Sequence, residues 1–105
     1  MYAMAGKLFA QPGKRDEFVE ILLRAAQVVG QLPGCRMYAV NEDLADETCI
    51  WVIEIWQDKP AHDQSLANER VRALIAQARP LMAGAPQGTE LRLVGGHGVS
   101  FTQES

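Results

Sequence analysis

Residues 49–56 read CIWVIEIW, apolar at every position but the glutamate. Such a run of β-branched and aromatic side chains favours a strand, and in a strand alternate side chains leave on opposite faces. Trp51, Ile53 and Ile55 then share one face, and Ile50, Val52, Glu54 and Trp56 share the other. Both faces need cover, and one layer of helices covers only one of them. The other requires a second copy of the chain packed sheet against sheet, or a small apolar ligand.

The flanking segments supply the rest of one layered unit. Residues 2–10 (YAMAGKLFA) are short and apolar and stop at Pro12-Gly13, as a first strand would. Over 15–32, Phe18, Ile21, Leu22, Ala25, Val28, Val29 and Leu32 recur at three- and four-residue intervals, which predicts an amphipathic helix ended by Pro33-Gly34. CRMYAVN and TCIWVIEIW on either side of the acidic EDLADE predict a long antiparallel hairpin. Asp58 and Pro60 then open a short helix to about residue 67, with Asp58 as its cap. After a break at Asn68, the spacing of Val71, Leu74, Ile75 and Ala78 predicts a second helical piece that Pro80 ends. ELRLV, from Glu90, is the expected last strand, before Gly95-Gly96-His97-Gly98. The order is βαββαβ, an α+β ferredoxin-like sandwich with an antiparallel sheet and both helices on one face. With 105 residues the chain forms one domain, 1–105, with its core over about 2–94 and a tail over 95–105.

Charge and motifs remove several classes of function. Ten basic against thirteen acidic residues give a net charge of −3 without basic clustering, so nucleic acid is not an expected partner. Apolar runs are interrupted by Lys7, Glu20 or Glu54 well before the roughly 18 residues a membrane span needs, and the expectation is a cytoplasmic protein with no membrane partner. Cys35 and Cys49 have neither CxxC nor metal-ligand spacing. Folding the hairpin about 43–45 sets Cys49 nearer Ala39 or Tyr38 than Cys35, which makes both buried free thiols. No GxGxxG occurs, and the GGHG tail does not lead from a strand into a helix, so no nucleotide or nicotinamide cofactor is expected.

Glu54 is the ionisable group of most interest. Its neighbours on the same face, Ile50, Val52 and Trp56, are apolar, and loss of water raises a carboxylate toward values useful in proton transfer. The structural alternative is an ion pair with Arg36 or Arg92 across the sheet. His62, in the first turn of the short helix, is a residue type that titrates near neutrality and donates to a phenolic or quinone oxygen, or else packs at the surface. Gln64, Ser65 and the remote His97 do not complete a metal site with it. Ser65 lacks the base-orienting third group of a hydrolase. Trp56 and Tyr38 either anchor the core or line a slot for an aromatic ring, and of the two tryptophans only one can join the helix-side core.

LPGCRMYAV (32–40), IWVIEIWQDKPAHDQSL (50–66) and the apolar helix after them resemble the antibiotic biosynthesis monooxygenase family, including its small quinol monooxygenase-like members. The combined pattern is PGC-x-x-Y, E-x-W-x-D and a following Ala-His, and the resemblance covers about 2–94. It implies a homodimer whose two sheets form a barrel-like interface, a dimeric α/β barrel, with a pocket between sheet and helices in each subunit. It also implies oxidation of a small phenol or hydroquinone by dioxygen without metal or flavin, the substrate anion itself supplying the electrons. His62 and Glu54 would then be the catalytic pair, with Trp56, Tyr38, Ser65 and Arg70 about the substrate. Departures are present as well. Members often carry histidines where Ser65 and Arg70 stand, and SLANER replaces their HL-x-x-x-H. The Asn and Trp of the haem-degrading branch are missing, which argues against haem degradation. The alternative function is a non-enzymatic dimer that binds a small ligand or regulates another process.

Overall fold

The computed structural model describes residues 1–99, so that of the expected tail over 95–105, residues 100–105 lie outside those described. The strands are β1 (Tyr2–Phe9), β2 (Cys35–Glu42), β3 (Cys49–Trp56) and β4 (Gln87–Arg92), and the helices α1 (Arg15–Val29), α2 (Lys59–Ser65) and α3 (Glu69–Ala78), the last running into a 3₁₀ turn, Arg79–Leu81. All pairings are antiparallel and the sheet order is β2-β3-β1-β4. This is the expected βαββαβ arrangement, with the doubly apolar β3 in the interior of the sheet. The sheet of one chain is open and does not close into a barrel.

The pleat of β3 decides where the core sits. Ile50 and Val52 pack with Phe18, Ile21, Leu22 and Ala78, and Trp56 packs with Val28, Val29 and Val71, so the Ile50, Val52, Glu54, Trp56 face lies under the helices. Trp56 joins the helix-side core and Trp51 does not. The register carries the division to the neighbouring strands: Tyr2, Met4, Gly6 and Leu8 of β1 lie opposite Trp56, Glu54, Val52 and Ile50. On the other face Lys7 lies 5.7 Å from the centre of the Phe9 ring and 5.1 Å from that of Trp51. The cation thereby sits over two aromatic faces on the helix-free side of the sheet.

Several boundaries differ from the pattern reading. Residues 30–32 do not extend α1, because the chain tightens into i→i+3 bonds, Gln31 N–H to Val28 O and Leu32 N–H to Val29 O, ahead of Pro33. β4 starts at Gln87 and stops at Arg92; its first residues, Gln-Gly-Thr, carry no apolar alternation, and pairing with β1 makes them a strand. The hairpin does not fold about 43–45. Its loop spans 43–48, and Asp43 N–H donates to Cys49 O at 3.1 Å, which corrects the placing of Cys49 near Ala39 or Tyr38. Those two residues pair with Ile53 and Glu54. Both cysteines are free thiols, Cys49 buried and Cys35 only partly so. No helix of the described residues is long and apolar enough to cross a membrane.

Candidate active site

Strand β3 presents Glu54 and Trp56 two residues apart under the helices. The wholly buried Trp56 donates its indole N–H to Glu54 Oε1 at 2.9 Å, giving a buried aromatic its polar partner and the carboxylate a fixed orientation. Neither Arg36 nor Arg92 supplies the ion pair considered above. The Arg36 guanidinium turns to Gln57 Oε1 at 3.5 Å, from a position where the β2 register slips.

The first turn of α2 delivers the histidine. Asp58 caps the helix by accepting the Ala61 N–H at 2.9 Å, with Pro60 where its missing donor costs nothing. His62 is buried, 7% exposed, not a surface residue. Its ring centre lies 5.3 Å from that of Tyr2 and 5.9 Å edge-on from that of Trp56. Nε2 is 4.0 Å from Glu54 Oε1, and Nδ1 is 3.0 Å from Asp63 Oδ1.

A cavity of about 100 Å³ lies between the sheet and helices α1 and α3. Nine of its twelve lining residues are apolar, among them Ile21, Leu22, Val71 and Leu74; the polar three are Tyr38, Glu54 and Ser65. Leu66 and Ile75, both substantially exposed, also contribute to its wall. Burial first, and the charge of Glu54 second, push the Tyr38 phenol well above its ordinary value, so Tyr38 is a neutral O–H donor beside an acceptor carboxylate. Ser65 Oγ donates to the carbonyl oxygen of His62 at 2.6 Å, which leaves the serine its lone pairs.

Glu54, Tyr38 and Ser65 therefore meet in one cavity. His62 and Trp56 stand behind Glu54 and do not line it. Arg70 is exposed and lines a separate groove with Arg24 and Leu74. His97 is exposed in the segment after β4. Among the described residues no three His, Cys, Asp or Glu side chains group as metal ligands would. Asp63 is the contact the pattern reading does not single out. Its only signal is adjacency to His62, and consecutive residues of a helix do not ordinarily face each other.

The family model for antibiotic biosynthesis monooxygenase matches residues 1–77. A Chloroflexus aurantiacus J-10-fl protein provisionally named an antibiotic biosynthesis monooxygenase is 39% identical, with 93% of this chain and 97% of that one covered and a TM-score of 0.83. SnoaB, a cofactor-independent oxygenase from Streptomyces nogalater crystallised as a single-substitution variant, shares the fold at 15% identity, with 92% and 96% covered and a TM-score of 0.79. An uncharacterised protein of Synechocystis sp. is 22% identical over 80 residues, 76% of this chain but 54% of that protein, so the chain spans about half the length of this curated relative. With a family model matched over most of its length and a relative at 39% identity, the chain belongs to the antibiotic biosynthesis monooxygenase family.

Proposed function

We propose that the protein is a cofactor-independent monooxygenase that works as a cytoplasmic homodimer and oxidises a small phenol or hydroquinone with dioxygen. Family membership supports an oxidoreductase, and a protein of the same fold, SnoaB, is a cofactor-independent oxygenase. The observation that carries the reading is Glu54, the one carboxylate among the residues lining an otherwise apolar cavity, held in place by the Trp56 indole.

The chemistry follows from those groups. Removing the phenolic proton makes the ring electron-rich enough to react with dioxygen. One oxygen atom stays on a ring carbon; the other leaves as water with the two hydrogens taken from the substrate's O–H and C–H. The ring gives up four electrons, two for each oxygen atom, and becomes a quinone. Glu54 accepts the phenolic proton, the neutral Tyr38 hydroxyl donates to the developing oxyanion, and Ile21, Leu22 and Val71 keep water out. Ser65 accepts a hydrogen bond from a second substrate hydroxyl. His62 and Trp56 act through Glu54.

Cavity size limits the substrate. Ordinary ligand pockets run to about 300–1,000 Å³, and an apolar cavity of about 150 Å³ admits benzene. A cavity of about 100 Å³ takes one ring, after a shift of Leu66 and Ile75 at the wall. The homodimer rests on the helix-free sheet face, where Phe9, Trp51 and Ile53 present apolar surface suited to a second sheet.

Oxygen uptake by the purified, metal-free protein with a panel of one-ring phenols and hydroquinones tests the proposal. Uptake that scales with protein and is abolished in Glu54→Gln is expected; no protein-dependent uptake across the panel rejects it. The small volume also fits a non-enzymatic dimer that binds a small apolar ligand or serves a regulatory role, and saturable binding of the same compounds without uptake identifies that case.

A further inference from the structure

We propose that Asp63 is a positioning residue: it holds His62 as the tautomer whose bare Nε2 faces Glu54, so that Asp63, His62 and Glu54 form a proton relay between the protein surface and the cavity. The relay rests on the reading of Glu54 as the base of the site.

The His62 ring has a carboxylate at each nitrogen. Asp63 Oδ1 lies 3.0 Å from Nδ1, and the Asp63 side chain is 52% exposed. Glu54 Oε1 lies 4.0 Å from Nε2, with the Glu54 side chain 16% exposed and part of the cavity wall. A carboxylate only accepts, and a neutral imidazole has one N–H, so the shorter contact assigns the proton to Nδ1 and the lone pair to Nε2. A Glu54 that has taken a proton from the cavity turns its O–H to Nε2, a closure of about 1 Å of the kind that catalytic contacts make when substrate binds. The imidazolium then donates to both carboxylates. It either loses its Nδ1 proton to water at the exposed Asp63 carboxylate or returns the Nε2 proton to Glu54 for the departing oxygen atom. One proton moves at each step and no electrons do.

The surroundings favour this tautomer. The Tyr2 ring from β1 and the Trp56 indole from β3 flank the imidazole, and the charged groups about it are Glu54, Asp63 and, beyond Asp63, Lys59 and Glu90. Lys59 Nζ is 3.7 Å from Asp63 Oδ1 and 2.9 Å from Glu90 Oε2, which also accepts the Tyr2 hydroxyl at 2.9 Å. Lys59 thereby lies between Asp63 of its own helix and Glu90 of β4. The His62 N–H first, and Lys59 after it, hold the Asp63 carboxyl below the ordinary carboxylate range, so it stays an acceptor.

The test uses the full chain labelled with ¹⁵N at histidine, near pH 8 and without substrate. His62 is expected to be the Nδ1–H tautomer in the wild type, to lose that preference in Asp63→Ala, and to regain it in part in Asp63→Asn, which keeps an acceptor oxygen. An Nε2–H tautomer in the wild type, or one unmoved by Asp63→Ala, overturns the proposal. In the oxygen-uptake assay with hydroquinone, Asp63→Ala is expected to lower kcat by roughly 10-fold or more, with KM little changed and the acid limb of the pH profile displaced. An active enzyme whose kcat and pH profile ignore Asp63→Ala also overturns it. A wild type that takes up no oxygen yet shows the Asp63-dependent tautomer supports the positioning and removes only the oxygenase reading.

Discussion

The indole N–H of Trp56 reaches Glu54 Oε1 across 2.9 Å, from two residues further along the same strand and on the same face. Trp56→Phe keeps most of the packing and removes that donor. Stability is expected to fall by about 1–3 kcal/mol, the cost of leaving a partly buried acceptor short of a partner, measured by urea unfolding. Trp56→Ala, which also opens a hole beside Val29 and Val71, is expected to cost about 3–5 kcal/mol.

Gly34, in the turn that ends PGC, is required by two separate restraints. Its φ is +85°, and an added Cβ would meet Ala61 Cβ at 2.7 Å; its carbonyl also accepts the Gln57 N–H at 2.8 Å. Gly34→Ala is expected to cost at least about 2 kcal/mol and to displace α2, and with it His62. Gly13→Ala is the control, with φ +77° and open space around it, and is expected to cost about 1–2 kcal/mol. Equal losses in urea unfolding would remove the Ala61 contact as a cause.

Arg15, at the start of α1, pins the hairpin loop. Its Nη1 donates to the carbonyl oxygens of Asp43, Asp46 and Cys49 at 3.0, 2.9 and 3.3 Å. Arg15→Ala is expected to lower stability by about 1–2 kcal/mol and to speed amide hydrogen exchange at Ala45 and Asp46, with amides of β1 unaffected. Exchange unchanged at those two amides would show that the Asp43 carboxylate holds them unaided.

The Tyr2, Glu90 and Lys59 group gives a defined dependence on pH. Burial first, and the hydrogen bond to Glu90 second, push the Tyr2 phenol up to about 12. Because the unfolded chain gives up this proton near about pH 10, the stabilisation is complete below that value and is lost as pH rises toward 12. On the acid side Lys59 first, and the Tyr2 hydroxyl after it, hold Glu90 below the ordinary carboxylate range. That contribution is present above the ordinary value and fades as pH falls through the folded one. Tyr2→Phe should flatten the alkaline decline in unfolding free energy measured between pH 9 and 12; an unchanged slope would assign the decline to other groups.

Much of this architecture is written in short-range patterns. The three- and four-residue spacing from Phe18 to Val29 marks α1, Asp58 stands at the cap it forms, Asn68 marks the break between α2 and α3, and the two-sided apolar run of β3 requires an inner position in the sheet. Where pattern is weak, pairing decided. Gln87, Gly88 and Thr89 have no strand signature and become β4 because β1 has an edge to fill. The carbonyls of the hairpin loop accept from Arg15, which lies 28 residues before Asp43, a contact no local pattern records.

The candidate site divides along the same line. Alternation within a strand is a local property, so residue order was enough to set Glu54 and Trp56 on one face, opposite Trp51. That Glu54 lines the cavity while His62 stands behind it, that Arg70 lies outside, and that Asp63 meets the imidazole depend on how α2 and α3 seat on the sheet. Local sequence determined the elements and the faces they present. Only the tertiary structure decided which side chains share a cavity, because that is set by the summed packing of distant residues and no periodicity records it.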